Sequence, residues 1–234
     1  MRDELLDLAR RLRRRVEQTH PSSWRLCAGP GQESRSQRLA ALAGRIEACR
    51  LCPLGSQRLR AVPGVGSSEA RAVFVGEGPG CEEDRRGEPF VDEAGELLDR
   101  ILASIGLSRD AVFITNVVKC QSMKDPAAPH LRGNDRPPSP EEISACRPFL
   151  GEQLRVLAPR VIVALGAVAA RVLLAADEPI SRLRGGWRLY RDGDFTARLM
   201  PTYHPAALLR NPELKKDVWL DMKAIQAELE AGAP

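Results

Sequence analysis

No stretch of this chain approaches the roughly 20 consecutive apolar residues needed to cross a bilayer. Nothing hydrophobic follows the charged start Met1-Arg2-Asp3-Glu4, so a secretory leader is not supported and a cytoplasmic location is expected, with no membrane partner. The glycine-rich stretch Gly76-x-Gly78-x-Gly80 lacks the spacing of a dinucleotide fingerprint, and no Gly-Lys-Ser/Thr follows it, which argues against a phosphate loop. There is no internal repeat. Charge bias is small: 35 Lys+Arg against 31 Asp+Glu give a net charge of +4, compatible with nucleic acid without arguing for it. Six cysteines in a chain expected to be cytosolic argue against a disulfide framework, which leaves metal, cluster or redox use for any that are patterned.

What remains is a chain of 234 residues, 43% of them hydrophobic, long enough for one α/β domain and an extension. Residues 1–35 read as that extension. Leu5, Leu8, Leu12 and Val16 recur at helical spacing beside the basic run Arg10 to Arg15, and a Pro/Gly-rich linker follows. A solvated helix face is the preferred reading of the basic run, a DNA-contacting arm the alternative.

From residue 36 to 234 strands alternate with helices, which predicts a parallel sheet covered on both faces. The predicted strands are Ala72 to Val75, Ala111 to Val118 and the fully apolar Val161 to Leu165, with a hairpin across Asp192-Gly193 behind them. Ser139-Pro140-Glu141-Glu142 has an N-cap serine, a proline in the first turn and two acids, a strong helix start. Gln121 to Ser139 is long, polar and aperiodic, and reads as a DNA-facing or disordered loop.

Loops at the ends of predicted strands carry the side chains of chemical interest. Cys49-Arg50-Leu51-Cys52 fits a redox pair, a zinc half-site or half of an iron–sulfur site. Cys120 and Cys146 lie 68 and a further 26 positions on, and by spacing alone four such thiolates favour zinc as the commoner structural choice. His204 before Pro205, Asn116 at a strand end and Phe90 beyond an acidic cluster are, each alone, as readily a core histidine, a capping asparagine and a core aromatic.

Five segments in order resemble the uracil-DNA glycosylase superfamily, and most closely its family-four enzymes, which carry an iron–sulfur cluster. They are Cys49-Arg50-Leu51-Cys52-Pro53-Leu54; the stretch from Gly76 to Asp84 with Gly87 to Val91; Ile114 to Cys120; Ala145 to Leu150; and Tyr203 to Pro212. The resemblance covers about residues 46–226. It implies a three-layer α/β/α sandwich around a mainly parallel four-stranded sheet, and a monomeric, monofunctional uracil-DNA glycosylase of base excision repair. It also reverses the choice of metal: Cys49, Cys52, Cys120 and Cys146 would hold a structural [4Fe–4S] cluster.

Uracil removal breaks a C–N glycosidic bond while the sugar gains positive and the base negative character. It therefore needs a flipped-base pocket, a water and stabilisation of the anion. By the resemblance, His204 would hydrogen-bond the uracil O2, and the start of a short helical run behind it also favours negative charge. Asn116 would read the O4/N3 edge and reject cytosine. Phe90 would stack on the base, and backbone groups of Glu77, Gly78 and Gly80 would line the pocket. Gly78 stands where other families carry a catalytic carboxylate or amide, so an aspartate water activator is absent; Glu83 is the acid expected to orient water or balance the sugar's charge. Leu208 would wedge into the DNA stack, with a core role as its rival, and Arg210 would hold a phosphate. No lysine is placed as a Schiff-base nucleophile.

The segment between Cys120 and Cys146 is longer than the family's, and its His130 occupies a region where a related subfamily traps DNA covalently. The Lys-Arg-Arg-Ile-His run of that subfamily is missing here. A glycosylase of shifted specificity, for example for hypoxanthine, a covalent or non-catalytic uracil-DNA binder, and a zinc protein are the rival readings.

Overall fold

Val73 and Val75 face one way from their strand and Ala72 and Phe74 the other, all four at most 2% exposed. Such a strand is wrapped on both faces, and the computed structural model, which describes residues 33–231, shows what covers it. The expected basic helix and linker fall almost wholly outside those residues.

Helix α1 (Arg35–Ala48) starts at a capping box made by Ser34 and Gln37, and one turn, α2 (Leu54–Gln57), follows the first cysteine pair. The elements then run β1 (Val65–Gly66), β2 (Ala72–Gly76), α3 (Cys81–Arg86), α4 (Glu93–Ala103), β3 (Phe113–Asn116) and α5 (Pro140–Leu157). After these come β4 (Val161–Leu165), α6 (Ala167–Leu174), α7 (Ile180–Leu183), β5 (Arg188–Asp192), β6 (Phe195–Thr202), α8 (Pro205–Arg210) and α9 (Lys215–Ala231).

The strands form one sheet in the order β1-β3-β2-β4-β6-β5. Its four central strands are parallel, as expected, but the sheet has six strands rather than four. β5 joins as the antiparallel partner of β6 in the predicted hairpin. β1, from a stretch that reads as a turn-rich connector, pairs antiparallel with β3. Two residues carry no periodicity, so only the neighbouring strand reveals this one.

One core layer packs Val73, Val75, Ile162 and Ala164 against Leu150 and Leu154 of α5. The other packs Phe74, Val163 and Met200 against Leu98 and Leu102 of α4 and Met222 and Ile225 of α9. This is the three-layer α/β/α sandwich. The register pairs Gly76 with Asn116 and Leu165 with Thr202, so the carboxyl ends of the parallel strands, where open α/β sheets bind ligands, stand side by side. Among the described residues no helix is long and apolar enough to cross a membrane.

Candidate active site

A cavity of about 500 Å³ opens at those strand ends. The loop after β2 brings Glu77, Gly78 and Gly80 to it, α3 brings Glu83, β3 brings Asn116, and the loop after β6 brings His204, with Phe90 and Arg210 completing the wall. Of the expected pocket and DNA-binding residues, Leu208 alone stays outside. It is 1% exposed and packs in the core layer with Leu97, Val218 and Met222, so its burial supports the core reading over the wedge. Its neighbour Leu209 on α8 is 44% exposed.

His204 stands at the N-cap of α8, and its Nδ1 accepts the Ala206 N–H at 3.2 Å. That bond leaves the ring proton on Nε2. Burial, with a smaller opposing pull from Asp92, holds the imidazole well below its ordinary range, at about 4. It is therefore a neutral donor at pH 7. The Phe90 ring lies 5.4 Å from it, inclined by 28°. Behind β6, Thr202 Oγ1 donates to Asp221 at 2.6 Å and Arg184 grips the same carboxylate, anchoring the strand end that carries His204.

Asn116 is 2% exposed, and its Oδ1 has no partner in the protein. Gly76 lies directly beneath it: a Cβ there would meet Asn116 Oδ1 at 2.3 Å and Phe90 Cζ at 2.7 Å. A side chain at this strand end would displace the Asn116 amide and the Phe90 ring, so the close approach of both requires glycine. A Cβ at Gly78 would meet Val118 Cγ2 at 2.7 Å, so the missing carboxylate is matched by missing room.

Glu83 is bonded to the backbone at both of its carboxylate oxygens. It lies on α3, which begins at Cys81, and its carboxylate accepts N–H groups from Val91 at 2.8 Å, Asp92 at 3.2 Å and Gly80 at 3.1 Å. Burial raises its pKa, the bonds from Val91 and Gly80 oppose the rise, and the charge of Asp92 adds to it. Asp84, fully buried, accepts from the backbone of Leu59 at 2.8 Å. Burial likewise raises the carboxyl of Glu77, the acid next to Gly78.

The long loop, expected to face DNA or to be disordered, has both its ends packed into the fold. Gln121, Ser122, Met123 and Asn134 are buried, and Met123 bridges Asp135. Arg136 donates twice to Glu142, at 2.7 and 2.9 Å, and to the Met123 carbonyl. The loop thereby brings Ser122, Asp135 and Arg136 to the cavity, which no sequence signal announced. His130, exposed, is not among the residues lining it.

The four patterned cysteines meet elsewhere. Cys49, Cys52, Cys120 and Cys146 border one small apolar cavity with Arg58 and Lys119. Among the described residues, no three His, Cys, Asp or Glu side chains are close enough to hold an ion as they stand. The donor set nonetheless suits an anionic, thiolate-bound group. Arg58 donates to Cys120 Sγ at 2.8 Å, and the Lys119 N–H to Cys146 Sγ at 3.3 Å. The Lys119 ammonium, 1% exposed, donates to Thr115 Oγ1, the Asn116 carbonyl and Gln153 Oε1 at 2.6–2.7 Å, oxygens that carry no net charge. Burial lowers it to about 8, and the nearby cysteines pull the other way. A buried ammonium and a half-buried guanidinium thus stand beside four thiols; burial raises the Cys120 thiol to about 11 and the Cys146 thiol too, against the opposing pull of the neighbouring cation at each.

The family model described as the uracil DNA glycosylase superfamily matches residues 63–223. The type-4 uracil-DNA glycosylase of Archaeoglobus fulgidus is 42% identical over 185 residues, covering 77% of this chain and 87% of that one. The type-4 enzyme of Thermotoga maritima is 39% identical over 81% of this chain and 94% of its own. A type-5 uracil-DNA glycosylase of Thermus thermophilus is 33% identical over 56% of this chain and 69% of its own. The match spans the parallel sheet and every loop that builds the cavity, and on that basis the chain belongs to the uracil-DNA glycosylase superfamily.

Proposed function

We propose that this chain is a monofunctional uracil-DNA glycosylase of base excision repair. The observation that carries the reading is the meeting, in one cavity, of a neutral His204 with its proton on Nε2, an Asn116 amide with an unpartnered oxygen, and the Phe90 ring.

Uracil flipped from the DNA stacks on Phe90 while the Asn116 amide pairs with its O4 and N3–H, a pattern cytosine cannot match. As the C1′–N1 bond breaks, its electron pair leaves with the base, and the His204 Nε2–H donates to O2, where the charge collects. The donor costs nothing to reorganise because Ala206 already fixes the ring. Water oxygen bonds to C1′ and gives its proton to solvent, leaving an abasic sugar. With no carboxylate at Gly78, and Glu83 bonded to three backbone N–H groups, anion stabilisation carries most of the rate enhancement. Arg210, exposed at the rim, meets a phosphate, and the exposed Leu209 takes the wedge role that burial denies to Leu208.

In the same reading Cys49, Cys52, Cys120 and Cys146 hold a [4Fe–4S] cluster. Its contribution is structural: it ties the segment after α1 to the loop after β3 and to α5.

The test is release of free base from single- and double-stranded oligonucleotides carrying one uracil. Release is expected, with strand cleavage only after alkali and no adduct on denaturing gels. A hypoxanthine arm tests shifted specificity. Tight binding with no base released from any substrate would overturn the catalytic reading.

A further inference from the structure

Phe90 has φ of 55°, the left-handed region that a residue with a Cβ rarely occupies. Such a conformation persists only where the surroundings over-determine it. Here they do so from both sides of the turn.

On one side, Glu83 accepts the N–H groups of Val91 and Asp92, the two residues that follow the ring. On the other, the Arg109 guanidinium donates to the carbonyls of Pro89, at 3.1 Å, and of Phe90 itself. Its Nε is held by Asp99 of α4 at 2.6 Å. Two N–H groups after the ring and the carbonyls of Phe90 and the residue before it are thus engaged by charged side chains from other elements. We infer that Arg109 is a positioning residue for the base-stacking ring, closing with Glu83 a two-sided clamp on the turn at Phe90. The inference rests on the reading of the cavity as a uracil pocket. It also gives Glu83 a defined task, which is to hold the turn.

The guanidinium is required because one planar fork spans two carbonyls and still offers Nε to Asp99, which a lysine ammonium cannot do. The pocket in turn needs the turn fixed, because the Phe90 ring sits in the space that Gly76 leaves free and within 5.4 Å of the His204 ring.

Single-turnover uracil release is measured for wild type, Arg109→Ala, Arg109→Lys, Phe90→Ala, the Phe90→Ala/Arg109→Ala double variant and Arg160→Ala. Arg160 forms a comparable ion pair with Glu228 at the opposite end of the sheet, and serves as the control for lost ion pairing. Arg109→Ala and Arg109→Lys are expected to lower the rate about 10- to 100-fold, the scale of a misplaced reacting group, while affinity for DNA changes less than about threefold. In the Phe90→Ala background the Arg109→Ala change should cost less than about twofold, because a residue that acts only through the ring loses its effect with it. A wild-type rate for Arg109→Ala, or its full cost retained without Phe90, overturns the inference.

If Arg109→Ala does not fold, Asp99→Ala, which frees the guanidinium without removing it, must give the same non-additive pattern with a smaller loss. Amide hydrogen exchange supplies a readout independent of activity: peptides containing Val91 and Asp92 should exchange faster in Arg109→Ala, and unchanged exchange there contradicts the clamp. Wild-type protein that releases no uracil defeats the functional reading, whereas exchange still decides the clamp.

Discussion

The base cavity and the cysteine cavity lie at the two ends of one short segment, Asn116 to Cys120, yet they are built on opposite principles. The candidate base cavity is preorganised: the His204 tautomer, the Phe90 turn and the strand ends are held by hydrogen bonds within the protein, and the Asn116 Oδ1 is left open. The cysteine cavity holds four thiols with Arg58 and Lys119 beside them, and among the described residues the Lys119 ammonium bonds only to oxygens without net charge, so thiolates bound in a cluster would supply the charge it lacks. Preorganisation suits a site that must stabilise a fleeting charge; a site that ligation completes suits a cross-link. Lys119 joins the two, donating to the Asn116 carbonyl while its own N–H meets Cys146 Sγ.

Three experiments would break or sharpen that contrast. The largest expected effect is on His204→Ala. Loss of one preorganised donor should lower the rate of uracil release by about 10²- to 10³-fold at pH 7, with little change in Tm. A variant that melts much earlier, or keeps its rate, would blur the distinction.

Cys120→Ser should do the reverse. Anaerobic preparations should lose their brown colour and the absorbance near about 400 nm expected of a thiolate-ligated cluster. Unfolding free energy should fall by about 3 kcal/mol or more, roughly a 10 °C drop in Tm for a domain of this size. Undiminished zinc in place of iron in the purified wild type would favour the zinc alternative.

The smallest effect is on acid stability. The native His204 takes up its proton only near pH 4, whereas the unfolded chain does so near the ordinary value of 6.5. Between those values the unfolded state binds the extra proton, so this group removes stability as pH falls through the window, by roughly 2 to 3 kcal/mol at pH 4.5. Tm should therefore drop more between pH 7 and 4.5 in wild type than in His204→Ala. Equal drops would show that the imidazole is not held neutral.

Much of this was legible in the chain. Val161 to Leu165 announces a central parallel strand by being wholly apolar, and Ser139-Pro140-Glu141-Glu142 announces α5 by its cap. The motifs around Cys49, Gly76, Asn116 and His204 point to one family because their residue types and order are specific together. The neighbourhood was not legible. Arg109, Ser122, Asp135 and Arg136 carry no motif reading, and they matter through what lies across the fold from them. Leu208 and Leu209 are identical as letters, and only the packing of α8 on Leu97 and Met222 buries one and exposes the other. β1 needs β3 beside it to exist as a strand at all.

Local chemistry, then, was the sequence's own determination: which residues can donate, stack, ligate or cap, and the period that turns them into strands and helices. The tertiary structure alone decided which of them meet. Glu83 illustrates this most clearly. By the family resemblance it is expected to orient water or balance the sugar's charge; the Val91 and Asp92 N–H groups that the turn at Phe90 brings to its carboxylate support the task of holding that turn, because only the folded chain sets that backbone against it.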